Sequence, residues 1–240
     1  MPAGRLGRPG GQFQHAALAV LVSPLTRTGR HFTASKVMCW VAASRGADLA
    51  RQRGDERAKQ WQAGADEIRA EVLEKGVSDR GVFRQHYESD DLDASLLLVL
   101  LMGFLPPSDE RMRATVLTIA DELTNDHLVL RYRVEGTGTG FSGEEGTFTI
   151  CSFWLVSALA MIGQTDRARA LCQKLLSFAG RSALRGGDRH TTGEHLGNFP
   201  QAFTHLALIE AVSLLIAFEL AEDVKSAGWD PAASTQIRSG

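Results

Sequence analysis

From Thr33 onward, apolar and polar residues alternate with a helical period. Apolar positions at i, i+3 and i+4 spacing open a first helix at Ser35, through Val37, Met38, Trp40 and Val41. Arg57 to Lys75 carries Trp61, Ala65, Ile68 and Val72 on one stripe with charges opposite, and Gly76 closes it. Asp91 or Asp93 caps a third, strongly apolar helix through Leu105, stopped by Pro106-Pro107. Ser108-Asp109-Glu110 starts a fourth, which runs to about Thr124. Thr147 to Ile162 is almost wholly apolar and ends at Gly163. Thr165-Asp166 then caps an amphipathic helix from Arg167 to Phe178, and Phe199 to Leu220 is predicted as a long, largely buried final helix. Strand signal is confined to Leu128–Val134, and Trp40, Trp61 and Trp154, all in apolar stripes, are assigned to the core.

The order of these helices is informative. Apolar helices begin near Ser35, Asp93, Thr147 and Gln201, with amphipathic ones after the first three. The repeat is a helical hairpin of roughly 50 to 60 residues, just above the usual range for helical arrays. A helix that is apolar all round belongs to an inner layer and an amphipathic one to an outer layer. Two such layers make an α-solenoid or a closed α/α toroid. The loops favour the toroid. Polar segments precede each apolar helix: Arg30-His31-Phe32, Gln85 to Asp90, Gly143 to Gly146, and Gly193 to Asn198. In a ring such loops converge at one mouth, whereas a solenoid has no reason to place them so.

Composition narrows the function classes. The chain has 240 residues, 44% of them hydrophobic, enough for one sizeable core. With 26 basic and 28 acidic residues the net charge is -2, so no global field recruits nucleic acid or an anionic membrane. The apolar run from Leu96 to Leu105 is far short of a bilayer span. Three cysteines, Cys39, Cys151 and Cys172, lie in apolar helical stretches, which favours reduced thiols and a cytoplasmic setting. Residues 1–30 are rich in Gly, Pro and Arg, and the first acidic residue is Asp48. They are expected to form a poorly ordered basic arm, followed by the helical domain over 31–222 and a tail over 223–240.

Four segments, in order, carry a family resemblance: His31 to Trp40 (HFTASKVMCW), Ser89 to Leu97 (SDDLDASLL), Glu144 to Leu155 (EEGTFTICSFWL) and Leu196 to His205 (LGNFPQAFTH). Together they resemble the second half of the family-15 glycoside hydrolase domain in its bacterial form, over roughly residues 30 to 220. The resemblance implies an all-α (α/α)6 toroid, here partial, with seven helices where the family's ring needs twelve. It also implies inverting hydrolysis of α-linked glucosides, trehalose among them, with no metal or organic cofactor and a small carbohydrate as partner. The apolar edges of an open ring would invite self-association.

Inverting chemistry needs an acid and a base about 6.5–9.5 Å apart across the scissile bond. By resemblance the acid belongs in a Trp-Glu pair shortly before His31, but Val22 to Arg30 contains no carboxylate. The base belongs just before Thr192-Gly193, where this chain reads Arg185-Gly186-Gly187-Asp188-Arg189-His190 and glycine holds the slot. The chain is therefore expected to be inactive as written. The competing class is a non-catalytic carbohydrate-binding or helical interaction module.

The candidate binding residues each have a plainer alternative. Arg131, followed by Tyr132, matches by resemblance the arginine that holds sugar hydroxyls, for which a guanidinium fork is suited; the alternative is a solvated surface arginine. Asp91 and Asp93 can cap the following helix or reach a sugar. Glu144 and Glu145 line the cleft or simply complement a helix dipole. Asn198, in the last polar loop, completes the set. Tyr87 and Phe141 are placed to stack on a sugar ring. His31, His86, His190, His195 and His205 show no i, i+4 pair with a carboxylate, so they are read as loop histidines and not as a zinc site.

Overall fold

The computed structural model describes residues 30–125, 127–133, 147–178 and 200–226, with two-residue strands at 187–188 and 195–196; for these strands and for 222–226 only the backbone is described. The chain forms two compact units, one made of residues up to Leu123 together with the segment from Arg131, the other of Thr124–Leu130 and residues from Gly146 onward.

In the first unit, α1 (Thr33–Gln52) and α2 (Ala58–Lys75) pack as an antiparallel pair. Ala65, Ile68 and Val72 of α2 and Val37, Val41 and Ala47 of α1 are buried. At Gly46 an added Cβ would lie 3.1 Å from the Trp61 ring, so glycine lets the indole lie against α1. The three tryptophans assigned to the core, Trp40, Trp61 and Trp154, are only half-buried. Trp40 lies edge-on to the fully buried Phe104, with the Arg69 guanidinium 4.8 Å from that ring. α2 ends at Gly76 with right-handed backbone.

The third helix is shorter than expected. A 3-10 turn, Ala94–Leu96, leads into α3 (Leu97–Leu101), and Gly103 at φ +75° turns the chain before the two prolines are reached. Leu96, Leu97, Leu100 and Phe104 are almost completely buried, each contributing about 1.5–3 kcal/mol of apolar transfer. α4 (Glu110–Glu122) begins as expected, with Asp109 accepting from the backbone N–H groups of Arg111 and Met112.

The second unit opens with a hairpin of β1 (Thr124–Asn125) and β2 (Leu128–Val129), turned at His127 with φ +67°. The strand expected to continue to Val134 stops at Val129. Residues 147–148, expected to be helical, form β3 (Thr147–Phe148), paired antiparallel with β4 (Gly187–Asp188), which pairs in turn with β5 (His195–Leu196). α5 (Thr149–Met161) follows, with eleven of its thirteen residues buried. Its Ser152 hydroxyl accepts the Val129 N–H at 2.9 Å. α6 (Thr165–Ser177) begins two residues before Arg167, preceded by Gln164, which makes no side-chain cap.

α7 (Ala202–Ser226) packs on α5 and α6 but differs most from expectation. Only one stripe is buried, Thr204, Ala207, Ala211 and Leu215, whereas Phe203, Leu206, Ile209, Ile216 and Leu220 are 50–64% exposed. By length and composition alone, Ala202–Ala221 is apolar enough to cross a membrane. Apolar sequence marked α7 as a helix for an inner layer; it did not say how many neighbours it has.

Candidate functional site

The polar loop between α2 and α3 is built around Asp93. This residue is 6% exposed, and both carboxylate oxygens accept hydrogen bonds, Oδ1 from the Ser95 N–H at 2.7 Å and Oδ2 from Gln85 Nε2 at 3.0 Å. Of the two aspartates considered for the cap, Asp93 fills the role. Asp91 is exposed; its side chain accepts from the Ser89 hydroxyl, and its carbonyl accepts from the Gln85 N–H at 2.8 Å.

The segment carrying Arg131 and Tyr132 is held against this loop. Asp93 and Tyr132 form an antiparallel bridge, and the Ala94 N–H donates to the Arg131 carbonyl at 2.7 Å. Backbone pairing therefore brings together four of the candidate residues, Asp91, Asp93, Arg131 and Tyr132. The Arg131 side chain is exposed, with its guanidinium carbon 6.0 Å from the Tyr132 ring centroid. Arg131 thus presents its guanidinium to solvent beside an aromatic ring. Glu144, Glu145, Asn198 and Phe141 lie outside the described residues, as does the stretch 22–29 where the acid is expected. Gly187, at the expected position of the base, is paired in β4 with Phe148 and Leu196.

The start of α1 meets the same loop. Phe32 bridges His86, the Thr33 N–H donates to the Gln85 carbonyl at 2.9 Å, and the Tyr87 N–H to the His31 carbonyl at 3.1 Å. The His31 and Tyr87 rings stack at 5.5 Å and 6°. Tyr87, a candidate for stacking on a sugar, thus has one ring face already occupied by His31. Burial, with the charges of Glu71 and Glu88 added, pushes its phenol well above the ordinary tyrosine value. The Tyr87 hydroxyl, His31 Nδ1 and Thr33 Oγ1 are buried without a hydrogen-bond partner. Among the described residues these atoms have no protein partner, and a buried orphan donor or acceptor costs about 1–3 kcal/mol unless water or another group satisfies it.

One part of this site was not read from the sequence. Lys36 is fully buried, with its ammonium 3.3 Å from Glu71 of α2. The available signal was a lysine in the apolar segment Ser35 to Val41, but helical lysines normally face solvent. Near Asp91, a depression of about 180 Å³ is lined by Arg80, Asp90, Asp91, Glu122 and Arg133 among others. That is below the roughly 300–1,000 Å³ of most ligand sites, and it can take water or a single polar group, not a disaccharide. Arg80 is paired with Glu122 across it. Among the described residues no group of three or more His, Cys, Asp or Glu could hold a metal ion.

Comparison with known proteins places these features in a family. The model of glycosyl hydrolases family 15 matches residues 26–213, and the chain belongs to that family. A trehalase from Mycobacterium tuberculosis is 62% identical over 201 residues, which are 83% of this chain and 29% of that protein. A trehalase from Mycolicibacterium smegmatis is 60% identical over 201 residues, 83% of this chain and 30% of the relative. The chain thus spans less than a third of the length of these curated relatives. Among solved structures, a glycosidase in complex with glucose matches 79% of this chain and 53% of its own, with TM-score 0.67 and 18% identity. A bacterial glucoamylase complexed with acarbose matches 86% of this chain and 39% of its own, with TM-score 0.69 and 14% identity. At such identities these likenesses bear on fold alone. The fold class is all-α, part of an (α/α)6 toroid of the glucoamylase kind, with seven α-helices among the described residues.

Proposed function

We propose that this chain is the sugar-holding part of a trehalase-type hydrolase domain for α-glucosidic bonds, and that alone it does not turn substrate over. The observation that carries the reading is 60–62% identity to two trehalases over 83% of the chain. The exposed Arg131 fork beside Tyr132, anchored through the Asp93 loop, supports a contact with vicinal hydroxyls of a small carbohydrate. In this reading Asp91 adds a hydrogen-bonding group beside Arg131, Asp93 positions the loop instead of touching sugar, and Glu144, Glu145 and Asn198 remain candidates from the sequence alone.

The inactive part of the reading is supported by proton chemistry. Protonating the leaving oxygen and activating water are tasks for two separate carboxyl groups. Residues 22–30 offer none, and Gly186 and Gly187 stand where the second is expected. Each missing proton-transfer group removes a factor of about 10²–10⁴ in rate, though the two do not simply multiply. No resident metal or organic cofactor enters this scheme. We also place the chain in the cytoplasm, supported by three free thiols, two of them buried; recovery of the protein from an exported fraction would overturn that placement.

The test is hydrolysis of trehalose and maltose by the purified chain, combined with thermal protection by glucose. The expected result is no turnover, with a melting temperature that rises with glucose concentration and no longer does so in Arg131→Ala. Turnover near that of a full-length relative would overturn the inactive reading. Equal protection of the wild type and Arg131→Ala would remove Arg131 from the site. The helical interaction reading is favoured by a separate observation, the outward apolar face of α7.

A further inference from the structure

We propose that Gln85 is a positioning residue for the Arg131 sugar contact: it ties the Asp93 carboxylate, and with it the backbone pairing that holds Arg131, to the start of α1. The consequence for sugar rests on the sugar-holding reading above, whereas the geometry stands without it.

Gln85 is 7% exposed, and three of its groups are committed to three different places in the first unit. Its carbonyl accepts from the Thr33 N–H at 2.9 Å, its N–H donates to the Asp91 carbonyl at 2.8 Å, and its Nε2 donates to Asp93 Oδ2 at 3.0 Å. The loop that presents it is braced from the neighbouring position. There the Arg84 guanidinium donates to the Val77 carbonyl at 2.8 Å and to the Tyr87 carbonyl at 3.3 Å. Gln85 is thus the residue through which the start of α1 reaches Asp93.

The orientation of Asp93 depends on that contact. The Ser95 N–H holds Oδ1 at 2.7 Å from within the same turn. One such bond leaves the carboxylate a broad range of rotation about its last bond. The bond to Oδ2 comes from outside the turn and removes that freedom. Next in the chain, the Ala94 N–H donates to the Arg131 carbonyl at 2.7 Å, and Asp93 itself bridges Tyr132. The path from α1 to Arg131 therefore runs through three hydrogen bonds: Thr33 to Gln85, Gln85 to Asp93, and Ala94 to Arg131.

The contact calls for an amide. An ionised carboxylate only accepts, so the atom facing Oδ2 has to carry a proton. Glutamine supplies one at any pH. Glutamate in its place supplies one only when the two carboxyl groups share a proton. Methionine has nearly the same length and supplies none.

The first measurement needs no ligand. It is amide hydrogen exchange at Ala94 in the full chain, with Ile68 and Val72 of α2 as references. Gln85→Met removes a hydrogen bond to a charged acceptor, and is expected to speed exchange at Ala94 about tenfold or more while the references stay unchanged. Gln85→Glu is expected to match it at pH 7 and to return toward the wild-type rate at pH 5, each rate being taken relative to wild type at the same pH. The ionisable groups along the loop, His86, Glu88, Asp90 and Asp91, are the same in both chains and cancel in that ratio. A loss of packing alone has no reason to reverse with acid. The second measurement is the glucose concentration that raises the melting temperature, which is expected to increase about tenfold in Gln85→Met.

Unchanged exchange at Ala94 in Gln85→Met overturns the proposal, as does an acceleration shared by Ile68 and Val72, or a Gln85→Glu ratio indifferent to pH. Glucose protection that Arg131→Ala abolishes but Gln85→Met leaves intact overturns it as well. A wild type that glucose does not protect sinks the sugar-holding reading instead, and exchange at Ala94 still decides whether Gln85 positions Arg131. Should Gln85→Met not fold, Gln85→Glu at the two pH values carries the same decision.

Discussion

α5 and α7 are both rich in apolar residues and belong to the same unit, yet they have opposite surroundings. α5 is enclosed: Phe153, Val156, Ala158 and Ala160 are completely buried, and even its Ser152 is out of reach of water and bonded to Val129. α7 repeats the composition and is enclosed along only one stripe. The contrast separates two properties that hydropathy merges. Apolar sequence records what a helix is built to face; burial records what is there to be faced. For α5 the two agree, and for α7 they do not.

The sharpest way to test the contrast is to truncate one side chain on each helix. Phe153→Ala should cost about 3–5 kcal/mol, enough to bring the chain close to unfolding. Ile209→Ser should change stability by no more than about 0.5 kcal/mol. Both are read from denaturant midpoints at constant slope. Similar losses at the two sites would break the comparison, because they would mean that α7 is covered in solution.

Buried charge extends the comparison to the first unit. Glu71→Ala leaves the fully buried Lys36 ammonium without its partner and should cost about 3 kcal/mol, most of it recovered in Lys36→Met with Glu71→Leu. A double variant as unstable as Glu71→Ala would show that the loss comes from packing and not from the uncompensated charge.

A smaller effect of opposite sign is expected at His127, held at φ +67° in the β1–β2 turn. His127→Gly relieves a left-handed backbone that costs a non-glycine residue about 1–2 kcal/mol, offset in part by glycine's greater freedom when unfolded, for a net gain of up to about 1 kcal/mol. A lower melting temperature in that variant would count against the turn geometry.

The smallest effect is a pH dependence. The Arg111 side-chain hydrogen bond holds the Asp109 carboxyl below the usual carboxylate range. A depressed carboxyl stabilises the fold above its unfolded value near 4, and that contribution disappears as pH falls through the lower folded value. Asp109→Asn, which keeps an acceptor at the cap, should therefore lose less stability between neutral pH and pH 3 than the parent. An identical acid profile would remove Asp109 from that transition.

How much of this was legible follows from the range of each signal. Helix period is local, so seven helices could be read along the chain. Ends depend on single backbone angles: residues 102–105 continue the apolar pattern of α3, yet Gly103 turns the chain there. Asp93 and Asp91 were equally spaced as caps until the pairing of Gln85 with Asp93 distinguished them. The Asp93–Tyr132 bridge joins residues far apart in sequence, and the Lys36–Glu71 pair joins two helices. No local pattern encodes either. Family resemblance supplied Arg131 as a candidate; the structure supplied its neighbours.

The division of the chain into units has a consequence for its synthesis. The chain leaves the first unit at Leu123, builds the β1–β2 hairpin for the second, and returns at Arg131 to accept the Ala94 N–H. A nascent polypeptide released only as far as Leu123 has no acceptor to offer Ala94 and no Tyr132 for Asp93. The loop that anchors Arg131 is thus finished only after the ribosome has already delivered the first strands of the next unit, which ties maturation of this loop to the growth of its successor.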